Sequence, residues 1–264
     1  MRFESWVPLF ALSVLACNTT ERPAPNSAGT APSVVAPASA AASVDSLPTA
    51  AGDLKITPIN HATLMLEWSG KVVIVDPTPE AKPDKLGRAD MILITDIHQD
   101  HMSAPSIAAL KKDGTVIVVP PAVEEKLGMV NLTVIKNGQS KDLLGINVEA
   151  IPMYNMTRGP QPGQLFHDKG RGNGYVLTFA NKRVYISGDT ECIPEMKALK
   201  SIDVAFVCMN VPYTMPPSEA ATCVKAFQPK IVYPYHYRGS NLDELTAALA
   251  DQKSIEVRLR NWYP

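Results

Sequence analysis

From residue 54 onward, short apolar runs alternate with polar ones, and their period switches repeatedly between two and that of a helix. Residues 54–59, 63–68 and 72–75 read as β-strands, with Ser69-Gly70-Lys71 as a hairpin turn. Residues 91–95 form a continuous apolar run, the signature of a strand buried on both faces. Ser103 can cap a helix running through Ile107, Ala108 and Leu110 to Asp113-Gly114. A strand follows at 116–119, then Pro120-Pro121 and a short helix to Leu127-Gly128. Strands are predicted at 146–151, 175–179, 183–186, 204–209, 231–233 and 255–259, and helices at 194–199, 218–227 and 241–250. Early hairpins followed by strand–helix alternation predict a layered α/β architecture.

The first fifty residues break this pattern. Residues 1–17 place Arg2 before an apolar run from Trp6 to Ala16, too short to span a bilayer as a permanent helix. The run ends Val14-Leu15-Ala16-Cys17, which resembles a bacterial lipobox with Cys17 as the residue that takes the lipid. Residues 18–53 are rich in Ala, Pro, Ser and Thr and contain no aromatic residue, so they read as a disordered tether. The expected layout is signal peptide 1–17, tether 18–53 and one globular domain over 54–264, in an exported protein anchored by lipid in the cell envelope. Three further cysteines remain, an odd number that leaves no complete disulfide framework; Cys208 reads as core, and Cys192 lies close in sequence to Asp189. A net charge of -1 and the export signal disfavour a nucleic-acid partner and leave a small-molecule substrate, with the membrane reached through the anchor. Nothing in the sequence sets the oligomeric state.

Chemistry gathers at strand ends. With only five histidines in 264 residues, their placement is informative. Asp96-Ile97-His98-Gln99-Asp100-His101 puts four ligand-type side chains directly after a buried strand, and imidazole with carboxylate suits zinc and similar divalent ions. Gly188-Asp189-Thr190 follows another strand and offers a carboxylate able to bridge two ions; His236 follows a third.

The order Asp96-x-His98-x-Asp100-His101, Gly188-Asp189-Thr190, His236 resembles the metallo-β-lactamase superfamily over nearly all of residues 54–264. Asn60-His61-Ala62-Thr63, Val75-Asp76-Pro77, Phe166-His167-x-Lys169-Gly170 and Gly172-Asn173-Gly174-Tyr175 resemble its subgroup of predicted zinc-dependent hydrolases, similar to ascorbate-6-phosphate lactonases. The resemblance implies a four-layer αββα sandwich with metal at the edge between two sheets. It implies one complete site from Asp100, His101, Asp189 and His236, and a second from Asp96, His98 and Asp189 with Asn155 or His167 as extra donors. The second site departs from the family, which has histidine at position 96 and a third histidine after the strand that here leads into Pro152-Met153-Tyr154-Asn155. The implied cofactor is one or two Zn²⁺, with Mn²⁺ or Fe²⁺ also admitted by the carboxylates.

The implied activity is hydrolysis of an ester, lactone, amide or phosphoester by a metal-bound hydroxide. Asp100 would anchor an ion and orient the nucleophile, and His167 would protonate the leaving group. Tyr154, Asn155, Phe166 and Tyr235 are candidate substrate contacts, and His61 is either a supporting residue or packing. A carboxylate at 96 in place of imidazole removes one positive charge from the site, which predicts weaker attraction for anionic substrates. The rival expectation is a non-catalytic envelope lipoprotein that keeps the fold with a degenerate metal site.

Overall fold

The computed structural model describes Met1 and residues 44–264. The expected signal peptide, Cys17 and most of the expected tether lie outside the described residues. In chain order the strands are β1 Asp45–Thr49, β2 Gly52–Asn60, β3 Thr63–Trp68, β4 Lys71–Val75 and β5 Ala89–Leu93. Helix α1 Ala104–Leu110, strand β6 Lys111–Val119, helix α2 Pro121–Leu127, and strands β7 Leu132–Val134, β8 Ser140–Leu143, β9 Ile146–Met153, β10 Gly172–Phe179 and β11 Lys182–Ile186 follow. Helix α3 Pro194–Lys197, β12 Val204–Cys208, α4 Pro217–Phe227, β13 Ile231–Tyr235, α5 Leu242–Leu249 and β14 Glu256–Val257 complete the chain.

Among the described residues the strands form two seven-stranded sheets, ordered β1-β2-β3-β4-β5-β6-β7 and β14-β13-β12-β11-β10-β9-β8. Alternation along β4 and β5 separates the layers. Val73, Val75, Met91 and Leu93 join the core shared by the two sheets. Ile74 and Ile92 point the other way, onto Ile107 and Leu110 of α1 and Val123 of α2. On the second sheet, Met196 of α3, Val224 and Phe227 of α4 and Leu245 of α5 pack with the strand side chains. This is the expected αββα sandwich: sheet on sheet inside, helices outside.

Local signals explain most boundaries. The Ser103 hydroxyl accepts from Ser106 N at 3.3 Å and so starts α1 as expected. That helix stops at Leu110 rather than at Asp113-Gly114, because β6 begins at Lys111. The Asn241 side chain starts α5 by accepting from Asp243 N.

The folded domain begins before the expected Leu54: β1 already pairs antiparallel with β2, Asp45 opposite Ile56 and Leu47 opposite Leu54. Pro48 is compatible with this strand because β1 lies at the sheet edge. The Asp45 carboxylate is held by Arg260 through contacts of 2.9 and 2.6 Å. The cysteine expectation also changes: Cys192 pairs with Cys223 in a disulfide that ties the segment after Asp189 to α4, and Cys208 is a free buried thiol.

The two sheets are joined at one edge. Asn173 N donates to Thr95 O at 2.9 Å and the Tyr175 hydroxyl to Ile94 O at 2.8 Å. Gly172 stands at this junction, where a Cβ would lie 2.7 Å from Thr95 O; that close approach excludes any side chain there.

Candidate metal centre

The loops leaving β5, β11 and β13 all open at that edge, and with the β2–β3 turn and the segment before β10 they bring all five histidines together. Three groups of potential ligand atoms result: His61, Asp100 and His236; Asp96, His98 and His167; and His101, Asp189 and His236. A cavity of about 580 Å³ lies over them, lined by His61, His98, Asp100, His167, Asp189 and His236. Gln99, Phe166, Asn210, Tyr213 and Arg238 complete its wall.

Asp189 is the hub. Its Oδ2 lies 3.3 Å from His101 Nε2 and 3.2 Å from His167 Nε2, and its Oδ1 lies 3.4 Å from His236 Nε2. Burial alone would raise the Asp189 carboxyl, but His236 and His101 hold it well below the usual carboxylate range. It is therefore an anion at the floor of the cavity. Asp100 sits at the rim, 3.3 Å from His236 Nε2 and 3.2 Å from His61 Nε2.

Three of the imidazoles, His101, His167 and His61, are oriented through their second ring nitrogen, whereas His236 Nδ1 is buried without a partner. Asp76 Oδ2 accepts from His101 Nδ1 at 2.8 Å and from the Thr95 hydroxyl at 2.6 Å, while Asp76 Oδ1 accepts from Thr95 N at 2.7 Å. Both Asp76 and His101 are fully buried. This carboxylate–histidine arrangement anchors His101 through Nδ1 and aims Nε2 at Asp189, so Nε2 is the atom that would bind a metal ion in exchange for its proton. His167 is held in the same sense, Nδ1 donating to Asn155 Oδ1 at 2.7 Å. The orientation of that amide is fixed because Asn155 Nδ2 donates to Glu191 Oε1 and to Tyr213 O. His61 joins Tyr263 on one side and Asp100 on the other, and its ring lies 3.8 Å from that of His236. His61, Asp76 and His236 all adopt left-handed backbone, with φ of 51°, 46° and 48°. Of the ten non-glycine residues with such a backbone among the described residues, these three lie in or directly behind the cavity wall.

The donor set fits a divalent cation. His101 Nε2, His167 Nε2, Asp189 Oδ1 and His236 Nε2 are buried without a hydrogen-bond partner. Unpaired polar atoms of this kind are expensive to bury. Three of them, on His101, Asp189 and His236, lie within 4.8 Å of one another, as a ligand shell does, while His167 Nε2 belongs to the neighbouring group with Asp96 and His98.

Several expectations change. Asp96 is not open toward the cavity: its Oδ1 accepts from Arg171 Nε at 3.0 Å and its Oδ2 from Arg171 Nη2 at 2.9 Å. The positive charge that a carboxylate at 96 removes is returned by this guanidinium, so the weaker attraction for anions no longer follows. Phe166 lines the cavity as expected, with Tyr213 across from it at 5.0 Å between ring centroids. Tyr154, Asn155 and Tyr235 do not line it. Tyr154 turns its hydroxyl to Glu195, and Lys169 covers its ring. The Tyr235 hydroxyl accepts from Gly188 N at 2.9 Å and so braces the turn that presents Asp189. Asn155 acts through His167. The proximity of Cys192 to Asp189 in sequence is answered by the disulfide, not by metal.

The beta-lactamase superfamily domain model matches residues 55–236. A metal-dependent hydrolase of Geobacillus sp. (strain WCH70) is 30% identical over 198 residues, 70% of this chain and 85% of that one. A crystal structure from Parabacteroides distasonis, assigned as a metal-dependent hydrolase, is 43% identical, covers 85% of this chain and 100% of that one, and superposes with a TM-score of 0.79. Igni18, a metallo hydrolase of Ignicoccus hospitalis, shares the fold at 20% identity, covering 80% of this chain and 96% of that one with a TM-score of 0.66.

Proposed function

The chain belongs to the metallo-β-lactamase superfamily and is a metal-dependent hydrolase; from that premise we propose that His101, His236, Asp189 and Asp100 hold a divalent ion, with zinc as the first choice, and that the enzyme cleaves an ester, lactone, amide or phosphoester of a small molecule. The observation that carries the placement is the convergence of unpartnered His101 Nε2, His236 Nε2 and Asp189 Oδ1 in a buried group. Such an ion supplies Lewis acidity and brings the acidity of water near neutral pH.

The remaining work falls to the chain. Asp76 and Thr95 keep the His101 lone pair directed at the site. His61, braced by Tyr263, fixes the rim carboxylate of Asp100. His167 opens Nε2 onto the cavity with Nδ1 held by Asn155, so Nε2 is the atom that would take the proton released by the attacking water and return it to the leaving group. Phe166 and Tyr213 give an apolar wall, and Asn210, Gln99 and Arg238 give polar contacts for the substrate body.

The proposed location is the cell envelope, through lipid on Cys17. Supporting it are the lipobox-like Val14-Leu15-Ala16-Cys17 and the Cys192–Cys223 disulfide, a bond typical of oxidising compartments. Labelled fatty acid should mark the protein and fail to mark Cys17→Ala.

The reaction is tested by screening the metal-reconstituted protein against lactones, phosphodiesters, carboxylic esters and β-lactams, with Asp189→Ala as control. Turnover of at least one class that Asp189→Ala lacks is the expected result. No turnover of any class, or turnover that Asp189→Ala retains, counts against the proposal.

A further inference from the structure

The two halves of the centre are electrostatically unequal. Asp100 and Asp189 face only imidazoles: within 4.0 Å, Asp100 meets His61, His101 and His236, and Asp189 meets His101, His167 and His236. No lysine or arginine among the described residues neutralises either one. That half carries two carboxylates, and the buried carboxyl of Asp76 lies directly behind His101. It attracts a divalent cation strongly.

The other half is already neutral. Asp96 is fully buried, and both of its oxygens are taken by the fork of Arg171 at 3.0 and 2.9 Å. Oδ2 also receives His98 Nδ1 at 2.9 Å. A bidentate guanidinium–carboxylate pair is among the strongest and most directional of polar contacts. A second ion at Asp96, His98 and His167 would meet a spent carboxylate and a fixed positive charge beside it. Its attraction would rest on Asp189, shared with the first site.

Building on the metal assignment above, we propose that Arg171 sets the metal stoichiometry: the protein holds one divalent ion tightly at His101, Asp189, His236 and Asp100, and the guanidinium of Arg171 occupies Asp96 in place of a second tightly bound ion. His98 and His167 are then free of a permanent metal. That leaves His167 Nε2, 3.2 Å from Asp189 Oδ2, available for proton transfer at the cavity floor.

The test is metal counting on the intact protein, stripped with chelator and titrated with Zn²⁺, with bound metal measured by mass spectrometry after equilibrium dialysis. Wild type should take up one equivalent tightly and a second at least about tenfold more weakly. Arg171→Gln removes the charge yet keeps a donor for Asp96; it should tighten the second equivalent by about tenfold or more and leave the first unchanged. If Arg171→Gln fails to fold, the double variant Asp96→His/Arg171→Gln removes the buried charge pair and should bind two equivalents tightly. Two equivalents of equal affinity in wild type would overturn the proposal, as would a second site that stays weak in whichever variant folds. No bound ion in wild type would instead refute the metal assignment, and the two failures are thereby distinct.

Discussion

Replacing Asp76 with asparagine should weaken divalent-ion binding by about 10- to 100-fold, although Asp76 touches no ion. The two side chains have nearly the same volume, so the fully buried site is neither emptied nor overfilled. The change lies in the hydrogen bonds. Asp76 accepts three: from Thr95 N at 2.7 Å, Thr95 Oγ1 at 2.6 Å and His101 Nδ1 at 2.8 Å. An asparagine can accept from Thr95 N with its carbonyl, but its amide group then faces His101 Nδ1. Two donors cannot meet there, so the imidazole must move its proton to Nε2, the atom that faces Asp189 Oδ2 at 3.3 Å. A protonated Nε2 cannot ligate. The loss of affinity corresponds to about 1.4–2.7 kcal/mol. Competition against a fluorescent zinc chelator measures it, with circular dichroism confirming that the variant is folded. Thr95→Val is the control: it removes a hydroxyl contact but leaves Asp76 to orient His101, so its effect should be smaller. Affinity for Asp76→Asn within about threefold of wild type would refute the reasoning, because it would show that His101 Nε2 is not a ligand atom.

Three further outcomes follow from the fold. Burial raises the Asp45 carboxyl, but the Arg260 fork and the Tyr233 hydroxyl outweigh it and hold the group below its ordinary 3.8. A lowered folded-state value stabilises above that pH and is lost as pH falls through it, so Asp45→Asn should lower stability at pH 7 by about 1 kcal/mol, and the deficit should close toward pH 3; a deficit in thermal melts unchanged over that range would contradict the pairing. Gly172→Ala forces a Cβ to within 2.7 Å of Thr95 O and should destabilise by about 1–3 kcal/mol, lowering Tm by about 2–4 °C per kcal/mol; a Tm within 1 °C of wild type (about a quarter to a half of a kcal/mol) would show that the sheet edges are not so tightly joined. Of Cys192, Cys208 and Cys223, maleimide should label one in the unfolded, unreduced protein and all three after reduction; three labelled without reductant would exclude the disulfide.

The sequence carried the sandwich and the principal ligand group because both rest on local signals. Strand patterns place the ends of β5, β11 and β13, and a carboxylate or histidine just past each end must meet the others once the strands share an edge. What it hid was non-local. Strand β1, Asp45-Ser46-Leu47-Pro48-Thr49, has a single large apolar residue and a proline and gains its identity only by pairing with β2. Strands β7 and β8, also unanticipated, are short outer strands of the two sheets. Asp76 stood in a recognised motif, yet its partner His101 is 25 residues away and nothing in either segment announces the bond. Arg171 is 75 residues from Asp96. A usable signal existed, since a carboxylate directly after a fully apolar strand needs a cation, and Arg171 lies between glycines in the one segment rich in motif residues. Of the three aromatic residues expected to touch substrate, Tyr154 and Tyr235 brace neighbouring loops instead, and Phe166 reaches the cavity, facing Tyr213.

The central claim, that one divalent ion is held between His101, His236, Asp189 and Asp100, is tested most directly by an anomalous difference map from crystals of the zinc-loaded protein, collected above and below the zinc edge. The account predicts the strongest peak within bonding distance of His101 Nε2, His236 Nε2 and Asp189. A map with no peak there, or with its strongest peak beside Asp96 and Arg171, would contradict it.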